Sequence, residues 1–117
     1  MLLCSNLFGD LLSDELAGLV GGLGLAPGAN IGKDVAIFEA VHGTAPDIAG
    51  KGIANPISLL LASGLMLEHV GHPELATRLR TAIDLTLNQD NVKTMDLGGK
   101  ATTLAFTEAL VKRLKTD

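Results

Sequence analysis

Aromatic residues and cysteine are the scarcest side chains of this sequence, which holds three Phe, no Tyr, no Trp and one Cys. Because hydrophobic residues still make up 47% of the chain, the core must be aliphatic, and there is more apolar material than one small domain is expected to hide. The lone Cys4 excludes an intrachain disulfide and indicates a reducing compartment. Its neighbours are apolar and no base lies near it in sequence, so we interpret it as a small buried hydrophobe rather than a nucleophile.

Long apolar runs and an excess of positive charge are also lacking. No run of about 18 apolar residues is present, which predicts no membrane association, and the start lacks the basic and apolar segments of a signal peptide. A cytoplasmic location is therefore expected, or the mitochondrial matrix if the source is eukaryotic. The net charge of −4 gives no sign of nucleic-acid binding. The one basic cluster is best explained by favourable placement at a helix C-terminus; it consists of Lys112, Arg113 and Lys115.

The order of apolar segments predicts an α/β chain of at most one domain. Buried strands are predicted over Met1–Ser5 and Val35–Val41. A chain that begins within a strand suggests a fragment, or a sheet completed by a partner. The Gly-rich segment from Gly21 to Gly32 is predicted to end the first helix and to cross irregularly. Its Gly22-x-Gly24 follows a helix and does not open one, so a Rossmann fold is not expected.

Four helices are predicted. The first follows a loop at Asn6 and reaches Val20. The second, Ile57–Val70, is apolar nearly all round, so we expect most of its surface to be buried, in part against a missing domain or another subunit. Two amphipathic helices follow, from His72 to about Leu87 and from Thr102 or Thr103 to about Leu114. Their predicted inward residues are Leu75, Leu79, Ala82 and Ile83 in the third helix, and Phe106, Leu110 and Leu114 in the fourth.

The segment from His42 to Pro56 joins the second predicted strand to the apolar helix. Its fifteen residues include three Gly, two Pro and three Ala, so little side-chain bulk separates its backbone from a ligand. Such a loop suits a planar, polar ligand such as a nucleotide. The alternative is an ordered turn without a ligand, in which Asn55 caps the helix and Pro56 is its first residue.

Three acidic residues outside this loop admit two interpretations each. Asp10 and Asp14 are four residues apart and share one helix face, where they repel each other unless solvent or a cation lies between them. They either bind a hard divalent cation or are solvated near the positive end of the helix dipole. Glu39, within a predicted strand, either meets a cation or ligand or faces water at a sheet edge. A metal role for His69 and His72 is not expected.

Five stretches, taken together, carry a resemblance to a known family. They are Asn6-Leu-Phe-Gly-Asp-Leu-Leu-Ser-Asp14, Gly21-Gly-Leu-Gly-Leu-Ala-Pro27, Phe38-Glu-Ala-Val-His-Gly-Thr-Ala-Pro-Asp-Ile-Ala-Gly50, Asn55-Pro56 and Asp96-Leu-Gly-Gly99. In this order the chain resembles the C-terminal third of the β-decarboxylating dehydrogenases of the isocitrate/isopropylmalate dehydrogenase family, and looks most like the NAD-dependent isocitrate dehydrogenases. The resemblance implies that residues 1–117 are a single, incomplete C-terminal segment of that family's large domain.

The resemblance implies an oxidoreductase of the tricarboxylic acid cycle, which oxidises a small 2-hydroxy acid with NAD(P) and then decarboxylates it with the help of Mg²⁺ or Mn²⁺. Asp10 and Asp14 match the family's two metal-ligand aspartates. The loop matches its adenosine-binding segment, and an acid at Asp47 accepts hydrogen bonds from both ribose hydroxyls and repels a 2′-phosphate, so NAD is expected rather than NADP. The implied cofactor-binding residues are His42, Gly43, Thr44, Ala45, Pro46, Asp47, Ile48 and Asn55.

The resemblance also implies that no catalytic residue lies in this chain, since the family's catalytic Tyr and Lys, substrate arginines and third metal aspartate fall upstream of Met1. The isolated chain is therefore expected to be inactive. A homo-oligomer or docking to a full-length subunit is expected, and a regulatory subunit would dock through the helix Ile57–Val70. Three alternatives stay open: the same segment of a homoisocitrate dehydrogenase, that of an isopropylmalate dehydrogenase, and a non-catalytic nucleotide-binding regulatory subunit.

Overall fold

The computed structural model describes residues 1–116 and consists of four α-helices, a two-stranded sheet and three short 3₁₀ turns. The α/β class predicted from the sequence is confirmed. In chain order the main elements are α1 (Asn6–Val20), β1 (Pro27–Ile31), β2 (Ala36–Ala40), α2 (Ile57–His69), α3 (Pro73–Asn88) and α4 (Thr103–Thr116). The 3₁₀ turns are Leu23–Leu25, Pro46–Ile48 and Met95–Leu97. Among the described residues, no helix has both the length and the apolar character needed to cross a bilayer.

The core lies where α2, α3 and α4 meet. Phe106 and Leu110 of α4 are buried there, and the Thr102 hydroxyl accepts a hydrogen bond from the Ala105 N–H at 3.1 Å, which caps this helix as predicted. Leu25 and Leu97 pack against the same cluster. Two of the three 3₁₀ turns are therefore held in place by the aliphatic core that the sequence composition predicts.

The helix α2 is less buried than its apolar sequence suggests. Ile57 and Ala62 are fully buried, whereas Leu59 and Met66 are exposed. One side of α2 packs against α3 and the sheet. Gly64 lies on this side, where an added Cβ would come to 4.0 Å from a Leu79 methyl group. Most positions of α2 are nevertheless buried or half-buried, and Leu59 and Met66 leave apolar surface uncovered. That this surface meets a missing domain or another subunit stays a prediction. In α3, Ala76 takes the buried position expected of Leu75, which is exposed.

The segment from Gly21 to Gly32 was expected to cross irregularly, and this prediction is wrong. The segment contains a 3₁₀ turn and the strand β1. β1 pairs with β2 in antiparallel register, with Pro27 opposite Ala40 and Ile31 opposite Ala36. Proline, glycine and asparagine are poor strand formers, so the sequence of β1 carries no strand signal. Its conformation follows from backbone pairing with β2.

The strand β2 is half-buried, which corrects the prediction of a buried strand over Val35–Val41. Phe38 turns toward the helices and its ring lies 5.5 Å from that of His69, while Ile37 and Glu39 alternate to the exposed side. Glu39 accepts a hydrogen bond from Asn30 Nδ2 at 3.0 Å. Of its two interpretations, the position facing water is the one observed.

The prediction of a buried strand over Met1–Ser5 is wrong. These residues form neither helix nor strand and are exposed, and α1 begins directly at Asn6. Cys4 is exposed as well, contrary to the expectation of a buried hydrophobe. A strand needs a neighbour for its backbone groups, and the described sheet contains only β1 and β2.

An ion pair joins the end of α3 to α4. Arg113 donates from Nη2 to Asp90 Oδ1 at 2.6 Å and from Nε to Oδ2 at 2.9 Å. The guanidinium holds the pKa of the Asp90 carboxyl below its usual value. Because the folded-state pKa is depressed, the pair stabilises the fold above the unfolded-state pKa, and this contribution is lost as the pH falls through the folded-state pKa.

We expect Asp90→Asn to lower the midpoint of thermal unfolding at pH 7. Since an aspartate in an unfolded chain titrates near about pH 4 and the folded-state pKa of Asp90 lies lower, the deficit should shrink as the pH falls below about 4. Calorimetric scans between pH 7 and pH 2.5 measure this. The matched control is Glu108→Gln, which removes an exposed carboxylate of α4. A deficit for Asp90→Asn that is the same at pH 7 and pH 3 would contradict the assignment.

A candidate nucleotide cradle and an acidic pair

A cavity of about 910 Å³ lies between the loop that follows β2 and two distant segments of the chain. Its volume lies in the range of small-molecule and cofactor sites. The loop contributes His42, Gly43, Thr44, Ala45, Ile48, Ala49, Gly50, Gly52, Ile53, Ala54 and Asn55, and the other segments contribute Gly24, Met95 and Asp96. Most of these side chains are small or apolar, as the fit of a flat organic ligand requires.

Six of the eight residues predicted to bind a cofactor line this cavity: His42, Gly43, Thr44, Ala45, Ile48 and Asn55. The other two, Pro46 and Asp47, do not line it. They lie in the 3₁₀ turn Pro46–Ile48, where Asp47 is exposed and directly precedes the cavity-lining Ile48. The cavity therefore brings six of the predicted residues together, and Asp47 adjoins this lining along the chain.

The turn after Ala45 depends on an unusual backbone conformation. Ala45 has a φ of 42°, a left-handed conformation that costs a residue with a side chain about 1 kcal/mol. Its carbonyl accepts the Ile48 N–H at 3.1 Å, which closes the 3₁₀ turn. Further along, the Gly52 carbonyl accepts the Thr103 N–H at 2.8 Å, and the Thr103 hydroxyl donates to the Ala54 carbonyl at 2.5 Å. The loop is thus anchored to the start of α4.

Asn55 connects the cavity to the start of α2. Its Oδ1 accepts the Ile57 N–H at 2.9 Å, and its Nδ2 donates to Asp96 Oδ2 at 2.8 Å. The prediction of Asn55 as N-cap and Pro56 as the first helical residue is one position early, because α2 begins at Ile57 and Pro56 is its N-cap; Asn55 still accepts the first N–H of the helix. The bond to the Ile57 N–H uses only part of the hydrogen-bonding capacity of the amide. A structural role at the start of α2 and a ligand-binding role are therefore compatible for Asn55.

Asp96 forms part of the cavity wall and was given no role by the sequence. It accepts the Thr94 hydroxyl at 2.6 Å on Oδ1, in addition to Asn55 on Oδ2. A Cβ added at Gly24 would lie 3.6 Å from Asp96 Oδ2, so the segments around residues 24 and 96 approach each other closely. The only sequence signal for Asp96 was its place in the stretch Asp96-Leu-Gly-Gly99.

The segment that carries Gly24 is also tied to the helices. The Ser58 hydroxyl, fully buried at the start of α2, donates to the Ala26 carbonyl at 2.5 Å. At the other end of this segment, the Gly22 N–H donates to the Ala17 carbonyl at 2.8 Å and closes α1. Gly21 and Gly22 have φ values of 125° and 109°, which residues with side chains rarely adopt. The glycines therefore end α1 and set the path into the cavity wall.

His42 stands at the entrance of the loop and is exposed. Its Nδ1 lies 3.0 Å from the Gly43 carbonyl oxygen. Because a carbonyl only accepts, Nδ1 must carry the proton in this arrangement. This leaves Nε2 as the ring nitrogen that can contact a ligand.

Asp10 and Asp14 both lie in α1 and both are exposed. At 3.6 residues per turn their side chains are separated by about 40° around the helix, so the predicted common face is present. Two carboxylates are suitable ligands for Mg²⁺ or Mn²⁺, which prefer oxygen donors and retain several waters. Among residues 1–116, no group of three or more His, Cys, Asp or Glu side chains is placed to hold a metal ion. The pair therefore fits part of a metal site, which needs further ligands from outside these residues.

Comparison with known proteins supplies the remaining context. A family model described as isocitrate/isopropylmalate dehydrogenase matches residues 1–113. The isocitrate/homoisocitrate dehydrogenase of Thermus thermophilus is 57% identical over 116 residues, which are 99% of this chain and 34% of that protein. Mitochondrial isocitrate dehydrogenase [NAD] subunit 2 of Schizosaccharomyces pombe is 54% identical over 94% of this chain and 29% of its own length.

Solved structures agree with these sequence matches. The crystal structure of isocitrate dehydrogenase from Methylococcus capsulatus superposes with a TM-score of 0.88 and 52% identity, covering 94% of this chain and 33% of that one. A β-decarboxylating dehydrogenase from Thermococcus kodakarensis superposes with a TM-score of 0.83 and 39% identity, over 95% and 32%. The chain spans about a third of the length of the curated relatives it matches.

Proposed function

The chain belongs to the isocitrate/isopropylmalate dehydrogenase family, and from this premise we propose that it is the NAD- and metal-binding segment of a β-decarboxylating dehydrogenase that acts on isocitrate. The complete reaction oxidises the 2-hydroxy acid and releases 2-oxoglutarate and CO₂. The observation that carries the proposal is the convergence of six predicted cofactor-binding residues on one cavity lined mainly by small side chains.

The cavity suits the adenosine half of NAD. Small residues let a flat ring system approach the backbone of the loop, and His42 Nε2 and the Asn55 amide offer polar contacts at its edges. Asp47, beside the cavity-lining Ile48, is proposed to accept hydrogen bonds from both ribose hydroxyls and to repel a 2′-phosphate. This arrangement favours NAD over NADP.

Asp10 and Asp14 would hold Mg²⁺ or Mn²⁺ together with ligands from outside these residues. When bound, such an ion polarises the oxygens of the substrate and stabilises the negative charge left by decarboxylation. The two carboxylates of α1 contribute the charge and the spacing that keep the ion in place. We propose no catalytic residue among the 117 positions. The chain has no Tyr, and the family resemblance puts the catalytic Tyr and Lys and the substrate arginines outside the segment.

The proposed segment works within a larger assembly. Several relatives are named as subunits of mitochondrial NAD isocitrate dehydrogenases, which supports a homo-oligomer or docking to a full-length subunit. The exposed side of α2 provides apolar surface for such a contact. We place the protein in the cytoplasm, or in the mitochondrial matrix if its source is eukaryotic, and expect it to bind neither nucleic acid nor membrane.

The test compares the isolated chain with a chimera in which residues 1–117 replace the matching third of the Thermus thermophilus relative. We expect no turnover of isocitrate with NAD and Mg²⁺ by the isolated chain, and clear turnover by the chimera. Circular dichroism and solution mass verify that the chimera is folded and assembled. Turnover by the isolated chain would contradict the absence of catalytic residues, and a folded but inactive chimera would contradict the proposed function.

Two alternatives have a specific observation behind them. The Thermus thermophilus relative is named for homoisocitrate as well as isocitrate, and a second relative, 54% identical, is named a regulatory subunit, from Dictyostelium discoideum. Because the substrate arginines are placed outside the segment, the chimera reports the substrate of its Thermus part. Steady-state assays of the proposed full-length enzyme with homoisocitrate, isopropylmalate and isocitrate decide the first alternative. A chain that binds NAD but leaves the chimera inactive with all three substrates would favour the regulatory subunit.

A further inference from the structure

A continuous line of hydrogen bonds crosses the cavity wall and joins two segments that are 41 residues apart. The Thr94 hydroxyl donates to Asp96 Oδ1 at 2.6 Å, Asn55 Nδ2 donates to Asp96 Oδ2 at 2.8 Å, and the Ile57 N–H donates to Asn55 Oδ1 at 2.9 Å. Thr94 is fully buried. The line therefore connects Asn55, which lines the cavity, both to the interior at Thr94 and to the start of α2 at Ile57.

The two bonds of Asn55 determine which way its amide faces. A carboxylate only accepts hydrogen bonds, so the group facing Asp96 must be the NH₂ of the amide. A backbone N–H only donates, so the group facing Ile57 must be the amide oxygen. Both restraints demand the same orientation. One N–H and one lone pair of Asn55 remain available, and the orientation of the amide decides where each is presented.

The turn around Asp96 is built to hold this carboxylate in place. The Gly99 N–H donates to the Thr94 carbonyl at 2.9 Å, and Gly98 has a φ of 76°. A Cβ at Gly99 would overlap the Lys93 carbonyl oxygen, so a larger residue would force the turn open. The two glycines of the stretch Asp96-Leu-Gly-Gly99 therefore serve the tight turn that presents Asp96 to Asn55.

We propose that Asp96 is a positioning residue for nucleotide recognition, which fixes the Asn55 amide so that its free N–H is presented to the bound nucleotide. The proposal rests on the proposed function of the cavity as the NAD site. It assigns to Asp96 an effect on NAD binding that goes beyond holding the 94–99 turn against α2. The carboxylate is well suited to this role, because a charge-assisted hydrogen bond is shorter and stronger than a neutral one.

The test measures NAD binding by titration calorimetry and NAD kinetics on the chimera. Asp96→Ala removes both acceptors, and we expect the Kd and KM for NAD to rise about tenfold, the equivalent of losing the hydrogen bond from the Asn55 N–H to the nucleotide, with kcat changed less than about twofold. A second variant exchanges the two side chains, Asn55→Asp with Asp96→Asn, and tests whether NAD uses the donor at position 55. It keeps the cap on Ile57 and a hydrogen bond between positions 55 and 96, but presents only acceptors at position 55.

We expect the exchanged pair to restore the midpoint of thermal unfolding to near that of the parent chimera while the Kd for NAD stays raised. Recovery of both together would show that the bond is merely structural, and would overturn the proposal. An unchanged Kd in Asp96→Ala would also overturn it. Should Asp96→Ala fail to fold, Asp96→Val replaces it, because it also removes both acceptors and leaves Asn55 in place; an unchanged Kd for NAD in that variant would overturn the proposal. Asp90→Asn is the matched control, which removes a carboxylate of α3–α4 and should leave the Kd for NAD unchanged.

A further variant separates failure of this proposal from failure of the proposed function. Gly43 lines the cavity, and a Cβ there would meet no atom within 4 Å, so Gly43→Leu adds bulk at the cavity wall without a clash at its Cβ. If NAD binding is insensitive to Gly43→Leu, the cavity is not the nucleotide site and the proposed function fails. If Gly43→Leu abolishes binding while Asp96→Ala has no effect, only the role of Asp96 is wrong.

Discussion

Asp47→Lys combined with Ile48→Tyr is expected to change the preference of the chimera for NAD over NADP by about a thousandfold. In the proposed complex the Asp47 carboxylate accepts two hydrogen bonds from the ribose, each with a contribution of about 1.5–3 kcal/mol. Together they correspond to a factor of roughly 10² to 10⁴ in binding. The substituted Lys and Tyr supply a cation and a hydroxyl that a 2′-phosphate can use. The measurement is the ratio of kcat/KM for the two cofactors.

A matched control for this pair exists elsewhere in the same chain. Pro73-Glu74-Leu75 repeats the order proline, acid, aliphatic residue at the start of α3, as Pro46-Asp47-Ile48 does in the 3₁₀ turn. Glu74→Lys with Leu75→Tyr makes the same change of charge and adds the same ring, and should leave the cofactor ratio unaltered. An unchanged ratio in the Asp47 and Ile48 variant would remove the assignment of Asp47. An equal change of the cofactor ratio in the Glu74 and Leu75 control would show that net charge, and not the position of Asp47, causes the effect.

The parts of the fold that local sequence predicts well are its amphipathic helices. In α4, Phe106 and Leu110 recur at helical spacing and are buried as expected, and the cap at Thr102 stands where the apolar pattern begins. Elements that depend on distant partners were predicted badly. The strand β1 has no strand-forming residues except Ile31 and owes its conformation to β2, while Met1–Ser5 has strand-forming composition and no strand beside it.

The same distinction applies to the cavity. Its loop was predicted from composition and from the resemblance, because the residues from His42 to Asn55 are contiguous in sequence. Gly24, Met95 and Asp96 complete the wall, but nothing in their local sequence points toward that loop. They reach it because Leu25 and Leu97, beside them in sequence, pack on the common core. Tertiary packing therefore brings these three residues to the cavity, and the periodicity and spacing of the sequence do not predict it.

The second large effect is expected at the acidic pair of α1. Asp10→Asn should raise the Mg²⁺ concentration for half-maximal activity of the chimera at least about 100-fold, since even the loss of an outer partner of a metal site costs about 10–100-fold in affinity, and Asp10 is proposed as a direct ligand. Asp14→Asn should act alike. The control is Glu15→Gln, because Glu15 lies about 140° around α1 from Asp10 and should leave the metal requirement unchanged. The measurement is activity as a function of Mg²⁺ and of Mn²⁺.

Stability provides a second measurement that separates a metal ligand from a structural residue. Without a cation, carboxylates four residues apart on a helix repel each other by about 0.2–0.5 kcal/mol, so Asp10→Asn should slightly raise the thermal midpoint of the metal-free chimera. With saturating Mg²⁺ the parent should have the higher thermal midpoint, because the ion binds the parent more tightly than Asp10→Asn and tighter binding stabilises the folded state more. A structural role for Asp10 predicts a lower midpoint under both conditions. Indifference of both the activity and the midpoint to Mg²⁺ would remove Asp10 and Asp14 from the metal site.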